Sequence, residues 1–266
     1  MMTISEPVVQ PSDTSSGIAD LHGAVGNVPR NILIIVQRSN GDVFLSSPLL
    51  SMLSAAYVGS HIDILVNSDT VSVARTLPNI REILIFSYGG EGQSKFSIAS
   101  EVFRKVFRKY DLCVNLTASD RSVIFALAAA PIAISAVEPL RKKSWWKRLL
   151  LSGHYEFDPK RHIIENNISG SAFLGLHEEH PRVSAYHSKE AASSVTGMLA
   201  AYGIPEFIIF HPGAQYEYKV YPEDLRRRLL ERLCTLGVPL VVTGSKSAVD
   251  LAIKKSLPKL PNVHDF

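Results

Sequence analysis

The sequence predicts an α/β protein made of two successive Rossmann-like domains, each built on a parallel sheet, with the second domain incomplete. Three observations predict it. Ile32–Val36 is a run of five apolar residues, four of them β-branched, the pattern of a strand buried on both faces. From Ile32 to Phe86 the chain then alternates strand, helix, strand, helix, strand within about 55 residues, which argues parallel βαβ units. A second βαβ pattern begins at Phe207-Ile-Ile-Phe210 and continues through Pro239-Leu-Val-Val-Thr243.

The first strand gives way to the polar run Gln37-Arg38-Ser39-Asn40, then Gly41 and a carboxylate at Asp42. Ser46-Ser47-Pro48 leads into a helical pattern over Leu49–Tyr57. A loop carrying one acid is therefore expected between a strand's C-terminal end and a helix, the edge at which open α/β sheets bind ligands. Read locally, Asp42 is a helix N-cap; the other reading is a catalytic carboxylate.

Further strands are expected at His61–Asn67, Glu82–Phe86 and Asp111–Leu116, with helices at Val71–Thr76, Ser97–Tyr110 and Ser122–Ala130. The helix at 97–110 sets Phe103, Val106 and Phe107 against Arg104, Lys105, Arg108 and Lys109, which a solvated basic face over a core stripe explains. Glycines 89, 90 and 92 lack dinucleotide spacing and read as a flexible loop. In the second half, Glu190–Tyr202 is a helix closed by Gly203, a residue suited to a C-terminal cap. Amphipathic helices follow at Glu223–Leu236 and Ser247–Ser256. These elements divide the chain into a disordered leader (1–29), rich in Ser, Thr, Pro and Gly, an N-terminal domain (30–190) and a partial C-terminal domain (191–266).

With 266 residues, 46% hydrophobic and 20% charged, the composition is that of a globular protein of one large or two modest domains. A net charge of +3 is too small to argue for nucleic acid. Cys113 and Cys234 are isolated in apolar surroundings and read as core residues of a reducing compartment. No run approaches the roughly 18 apolar residues of a membrane span, and the N-terminus lacks a secretory h-region. A cytoplasmic protein is expected. His177-Glu-Glu-His180 lacks zincin spacing and has Pro181 next to it, so no metal site is assigned. Arg141-Lys-Lys-Ser-Trp-Trp-Lys-Arg148 places five basic residues around two tryptophans. It reads either as an exposed loop or as a surface for anionic lipid headgroups or a phosphorylated glycolipid.

Two stretches resemble the signatures of the glycosyltransferase family 9 heptosyltransferases. The first is Gly41-Asp42-Val43 followed by Ser47-Pro48. The second is Phe210-His211-Pro212-Gly213-Ala214 with Lys219 and Tyr221-Pro222. The resemblance implies a GT-B-like arrangement of two Rossmann-like domains facing a cleft. It implies an inverting transfer of heptose from ADP-heptose to a lipopolysaccharide inner-core acceptor, without metal or cofactor. Asp42 would be the general base. Ala214, Gln215, Lys219, Thr243 and Gly244 would face the donor, and Ser39, Asn40, Arg121, Arg141 and Lys142 the acceptor. The implied partners are a nucleotide sugar and a glycan acceptor, with peripheral contact at the cytoplasmic face of the inner membrane and no nucleic acid. Family members carry a later Asp-Ser/Thr-Gly-Pro-x-His loop that no stretch here supplies. The resemblance covers 31–266 of this chain and about two thirds of the family's length. Two strands at 207–210 and 239–243 would then leave a small second sheet with an uncovered edge. The competing reading is a truncated, non-catalytic remnant or glycolipid-binding module that has lost donor binding.

Overall fold

The computed structural model describes residues 28–87, 95–139, 141–214 and 217–266. The leader through residue 27, the glycine cluster and Gln215 lie outside the described residues. The chain divides into two compact units between Tyr186 and His187, a few residues before the boundary expected from sequence.

In the N-terminal unit, β1 (Asn31–Val36) leads into a one-turn helix α1 (Asn40–Phe44), then α2 (Ser47–Ala56) and β2 (His61–Asn67). A 3-10 turn precedes α3 (Val71–Ala74), followed by β3 (Ile80–Phe86), α4 (Lys95–Val106), β4 (Leu112–Asn115) and α5 (Asp120–Ala129). Next come β5 (Ile132–Val137), α6 (Arg141–Leu150), β6 (Gly153–Glu156) and α7 (Ile163–Ile168). The six strands are all parallel, in the order β3-β2-β1-β4-β5-β6. This is the doubly wound order whose switch point falls between β1 and β4.

β1 is central, and its side chains alternate between two cores. Ile32, Ile34 and Val36 join Leu49, Leu50 and Leu53 of α2 on one face. Leu33 and Ile35 join Val102 and Val106 of α4 and Val123 and Phe125 of α5 on the other. Burial of both faces is why the run is unbroken by polar residues. Each such side chain contributes about 1.5–3 kcal/mol on removal from water.

Two sequence expectations are corrected in this unit. Asp42 is not in a loop: the stretch forms α1, because Ser39 provides an extended N-cap and the following residues close a single turn. Nor is Arg141–Arg148 a loop, since it lies within α6, where Lys147 is fully buried. Strands β5 and β6 were not among the expected elements.

The C-terminal unit contains α8 (Lys189–Ala201), β7 (Ile208–Phe210), α9 (Glu223–Cys234), β8 (Leu240–Val242), α10 (Ala248–Ser256) and β9 (Val263–Asp265). The three strands are parallel in the order β7-β8-β9. The expected two-stranded sheet is thus corrected to three, because Val263–Asp265 pairs with β8. β8 is buried along its length, and Gly203 closes α8 at φ +65°. Cys113 is buried as expected, whereas Cys234 is only half-buried.

Candidate functional site

The switch point lies at the C-terminal ends of β1 and β4, and the loops that follow these strands carry the candidate residues of the N-terminal unit. Asp42 is the third residue of α1. Its Oδ2 accepts from the Ser39 backbone N–H at 3.2 Å and the Ser39 hydroxyl at 2.8 Å. The same oxygen meets the Arg38 Nε at 3.1 Å. The local expectation is corrected here: the N-cap is Ser39, and Asp42, three residues on, is the acid that reaches back to it, a role that leaves the catalytic reading of Asp42 open to test. Both hydrogen bonds and the ion pair fall on Oδ2, and no hydrogen bond reaches Oδ1 among the described residues. The side chain is 17% exposed. Arg38 is itself held, its guanidinium carbon 4.3 Å from the centre of the Phe157 ring.

Across the switch point, Arg121 lies in the first turn of α5. Its Nε donates to the Gln37 Oε1 at 3.4 Å, and its guanidinium sits 4.0 Å over the Phe86 ring. The loop before it is shaped by a buried polar network. The Asn115 amide nitrogen lies 2.8 Å from the Thr117 carbonyl, 3.1 Å from the Ser122 hydroxyl and 2.9 Å from that of Ser135. The Gln37 N–H donates to the Thr117 hydroxyl at 2.9 Å, joining the ends of β1 and β4.

Two buried polar atoms at this strand edge have no hydrogen-bond partner among the described residues: Gln37 Nε2 and Asn67 Oδ1. Such atoms are costly unless a ligand or water meets them. From the other side, the Asn167 amide donates to the Leu45 carbonyl at 3.0 Å and the Asp42 carbonyl at 3.4 Å, pinning α1. Asn67 and Asn167 were missed from sequence. Asn67 was discoverable as a polar residue at a strand end; Asn167, 125 positions from Asp42, carried no local signal.

Ser39 and Asn40 are exposed beside Asp42. Lys142 is exposed on α6, and no hydrogen bond or ion pair joins it to Asp42 among the described residues. Arg141 begins α6, and its side chain lies outside the described residues.

In the C-terminal unit the loops after β7 and β8 are tied together. The His211 ring Nδ1 lies 3.0 Å from the Thr243 hydroxyl. Asp250 accepts from the Ser245 N–H at 2.7 Å and from the Ser245 hydroxyl. These bonds, the hydroxyl's foremost, hold the Asp250 carboxyl below its ordinary pKa. A Cβ on Gly213 would stand 2.1 Å from the Asp250 Oδ1. Thr243 and Gly244 line a cavity of about 360 Å³ with Pro212, Lys246 and Asp265. Ala214 is half-buried in the stretch after β7. Lys219 ends an exposed 3-10 turn, its ammonium 5.6 Å from the Tyr218 ring centre, and does not line that cavity. Gln215 lies outside the described residues. Among the described residues no cluster of His, Cys, Asp and Glu is arranged to hold a metal, and no helix is long and apolar enough to cross a membrane.

These features define a doubly wound α/β protein with polar strand-end loops in both units, the architecture of nucleotide-dependent enzymes among others. The family model for glycosyltransferase family 9 (heptosyltransferase) matches residues 100–263, and the chain belongs to that family. It is 26% identical over 223 residues to lipopolysaccharide heptosyltransferase 3 of Escherichia coli K12, an alignment covering 81% of this chain. The chain spans 63% of that relative's length. Among solved structures it resembles the glycosyl transferase family 9 protein of Veillonella parvula. The TM-score is 0.72 at 21% identity, over 89% of this chain and 69% of that one. It also resembles E. coli heptosyltransferase WaaC with ADP-2-deoxy-2-fluoro heptose, with a TM-score of 0.67 at 14% identity over 89% of this chain and 76% of that one. At these identities the structural likeness speaks to fold.

Proposed function

We propose that the chain carries the acceptor and donor loops of an inverting glycosyltransferase that moves heptose from ADP-heptose to a lipopolysaccharide inner-core acceptor. The observation that carries this reading is the partly exposed Asp42 carboxylate at the switch point, fixed through Oδ2 with no hydrogen bond to Oδ1 among the described residues. Membership of family 9 and the sugar nucleotide in the WaaC structure support the choice of donor.

In this reading the acceptor hydroxyl gives its proton to Asp42 as its oxygen attacks the anomeric carbon. The bond from that carbon to the diphosphate breaks, its electron pair leaves with ADP, and the configuration inverts. The Arg38 guanidinium and the Ser39 N–H hold the carboxylate in place, a positioning that removes the entropy of alignment from the step. Arg121, half-buried beside Gln37, offers the acceptor a charged contact. In the C-terminal unit, Lys219 supplies a point charge for the departing diphosphate. The backbone after His211, including Ala214 and Gln215, together with Thr243 and Gly244, faces the nucleotide. No step calls for a metal.

Calorimetric titration with ADP, with UDP and GDP as controls, tests the donor half; saturable, ADP-selective heat is expected. Asp42→Asn tests the base, with turnover expected to fall about 10²–10⁴-fold while circular dichroism and ADP affinity are kept. Full turnover in that variant removes Asp42 from the mechanism. Absence of ADP heat from the folded chain favours the glycolipid-binding module instead.

A further inference from the structure

We propose that the outer side of α6 is a docking surface for an anionic lipid bilayer. Packing divides this helix in an unusual way. Lys147 is fully buried, within 2.6 Å of Asp120 and 2.7 Å of Glu138, and it donates to the Ala118 carbonyl at 2.7 Å. Arg148 is paired with Glu156 at 2.8 Å and donates to the Glu138 carbonyl at 3.2 Å. Trp146 packs against the buried cluster of α4 and α5. Two of the helix's cations are thus neutralised on its inner side.

The outer side keeps Lys142 and Lys143 together with Trp145, Leu149 and Leu150, which are 64%, 76% and 58% exposed. Lys142, Trp145 and Leu149 follow helical spacing and share one stripe. A solvated helix places its charges outward and its large apolar groups inward; α6 reverses this for Lys147 against Trp145 and Leu149. Large apolar groups exposed together mark an interaction surface.

The surroundings carry the same sign. α4, α5 and α6 all feed the same buried cluster, so they form one layer on one face of the sheet. That layer also exposes Phe107 and Ile124, and α4 and the turn after it expose Arg104, Arg108 and Lys109. Three acids are engaged in ion pairs, Glu101 with Lys105, Asp120 with Lys147 and Glu156 with Arg148, while Glu82 lines a cavity with Lys105 and Lys109. Excess cations beside a tryptophan and two leucines match an interface that presents anionic headgroups above an apolar layer. Nucleic acid would satisfy the lysines and the tryptophan but not the leucines.

Lys147 gives the docking a further meaning. By holding Ala118 and Asp120 it ties α6 to the start of α5 and the loop before it, next to Arg121, so a bilayer bound to α6 would sit beside a loop of the candidate acceptor site. The proposal rests on the exposure and charge of α6, independently of donor chemistry.

The test is co-sedimentation of the full 266-residue chain with vesicles of phosphatidylcholine, alone and mixed with phosphatidylglycerol. Retention is expected on the mixed vesicles only, reversed by high salt. Lys142→Ala with Lys143→Ala should weaken it by about fivefold per lysine, and Trp145→Ser by about tenfold. These side chains are exposed, and unchanged circular dichroism would verify the fold of each variant. No retention, equal retention on neutral vesicles, or retention indifferent to both variants overturns the proposal. So does a dimer in sedimentation velocity that Trp145→Ser dissociates, which would assign the patch to a second copy, or tighter binding to single-stranded DNA than to the vesicles.

Discussion

β1 and β7 are the first strands of the two units and have similar sequences, Asn-Ile-Leu-Ile-Ile-Val in one and Ile-Ile-Phe in the other, yet their surroundings differ sharply. Every side chain from Ile32 to Val36 is fully buried, whereas Ile209, at the centre of β7, is 62% exposed. β1 has a strand on each side and helices on both faces. Among the described residues β7 pairs with β8 alone, and no residue of α8 is buried. An apolar run states that a strand calls for cover; neighbours in the sheet and on its faces decide whether it has any. The N-terminal unit carries its own two-sided core, while in the C-terminal unit the buried apolar side chains are those of β8 with Ile204, Leu230 and Ile253.

Truncating the centre of β1 should break this contrast most. Ile34→Ala is expected to destabilise the N-terminal unit by about 2–5 kcal/mol, read as a lower denaturant midpoint followed by tryptophan fluorescence. Trp145 and Trp146 both report on this unit. A loss below about 1 kcal/mol would mean the core relaxes around the cavity.

An alkaline titration should give the next effect. Burial raises the pKa values of Tyr110, Cys113 and Tyr155, all in the N-terminal unit. Raised folded values leave stability intact below the unfolded ones, about 8.5 for Cys and 10 for Tyr. As pH climbs past these, the unfolded chain loses protons first and stability falls. The slope approaches about 1.4 kcal/mol per pH unit for each group. The midpoint for the N-terminal unit should therefore be level to about pH 8 and decline above it; a flat profile to pH 11 would show that these groups are not shut away from water.

The smallest effect belongs to β7. Ile209→Ala should change stability by no more than about 0.5 kcal/mol, measured by the same denaturant titration with circular dichroism. A loss comparable to that of Ile34→Ala would show that β7 is covered in solution.

What was legible in the sequence follows the same physics. β1 and β2 were readable because two-sided burial writes an unbroken apolar run, and the bounds of β2 fell where expected. β5 escaped notice: Ile-Ala-Ile-Ser-Ala-Val carries two alanines and is crossed by Ser135, whose polarity is accommodated by Asn115. α6 read as a loop because its charges suggested solvent, while Lys147 in fact meets Asp120 and Glu138, partners 27 and 9 positions away. Asp42 was visible because it lies just beyond β1. Asn167 was not, because its bond to α1 is made by the fold alone. Arg121 stood out by family resemblance, but its stacking on Phe86 and its contact with Gln37 required three strand ends to converge.

Gly213 has a consequence for how such chains drift. Its missing side chain is the space into which Asp250 leans, and Asp250 in turn holds Ser245 in the loop after β8. A methyl group at 213 would evict the carboxylate, so neither position is free to vary alone. Along a lineage, residues 213, 245 and 250 are expected to be exchanged as a set or kept as a set. Substitution histories gathered for relatives of this chain should register that linkage as covariation between positions 37 apart.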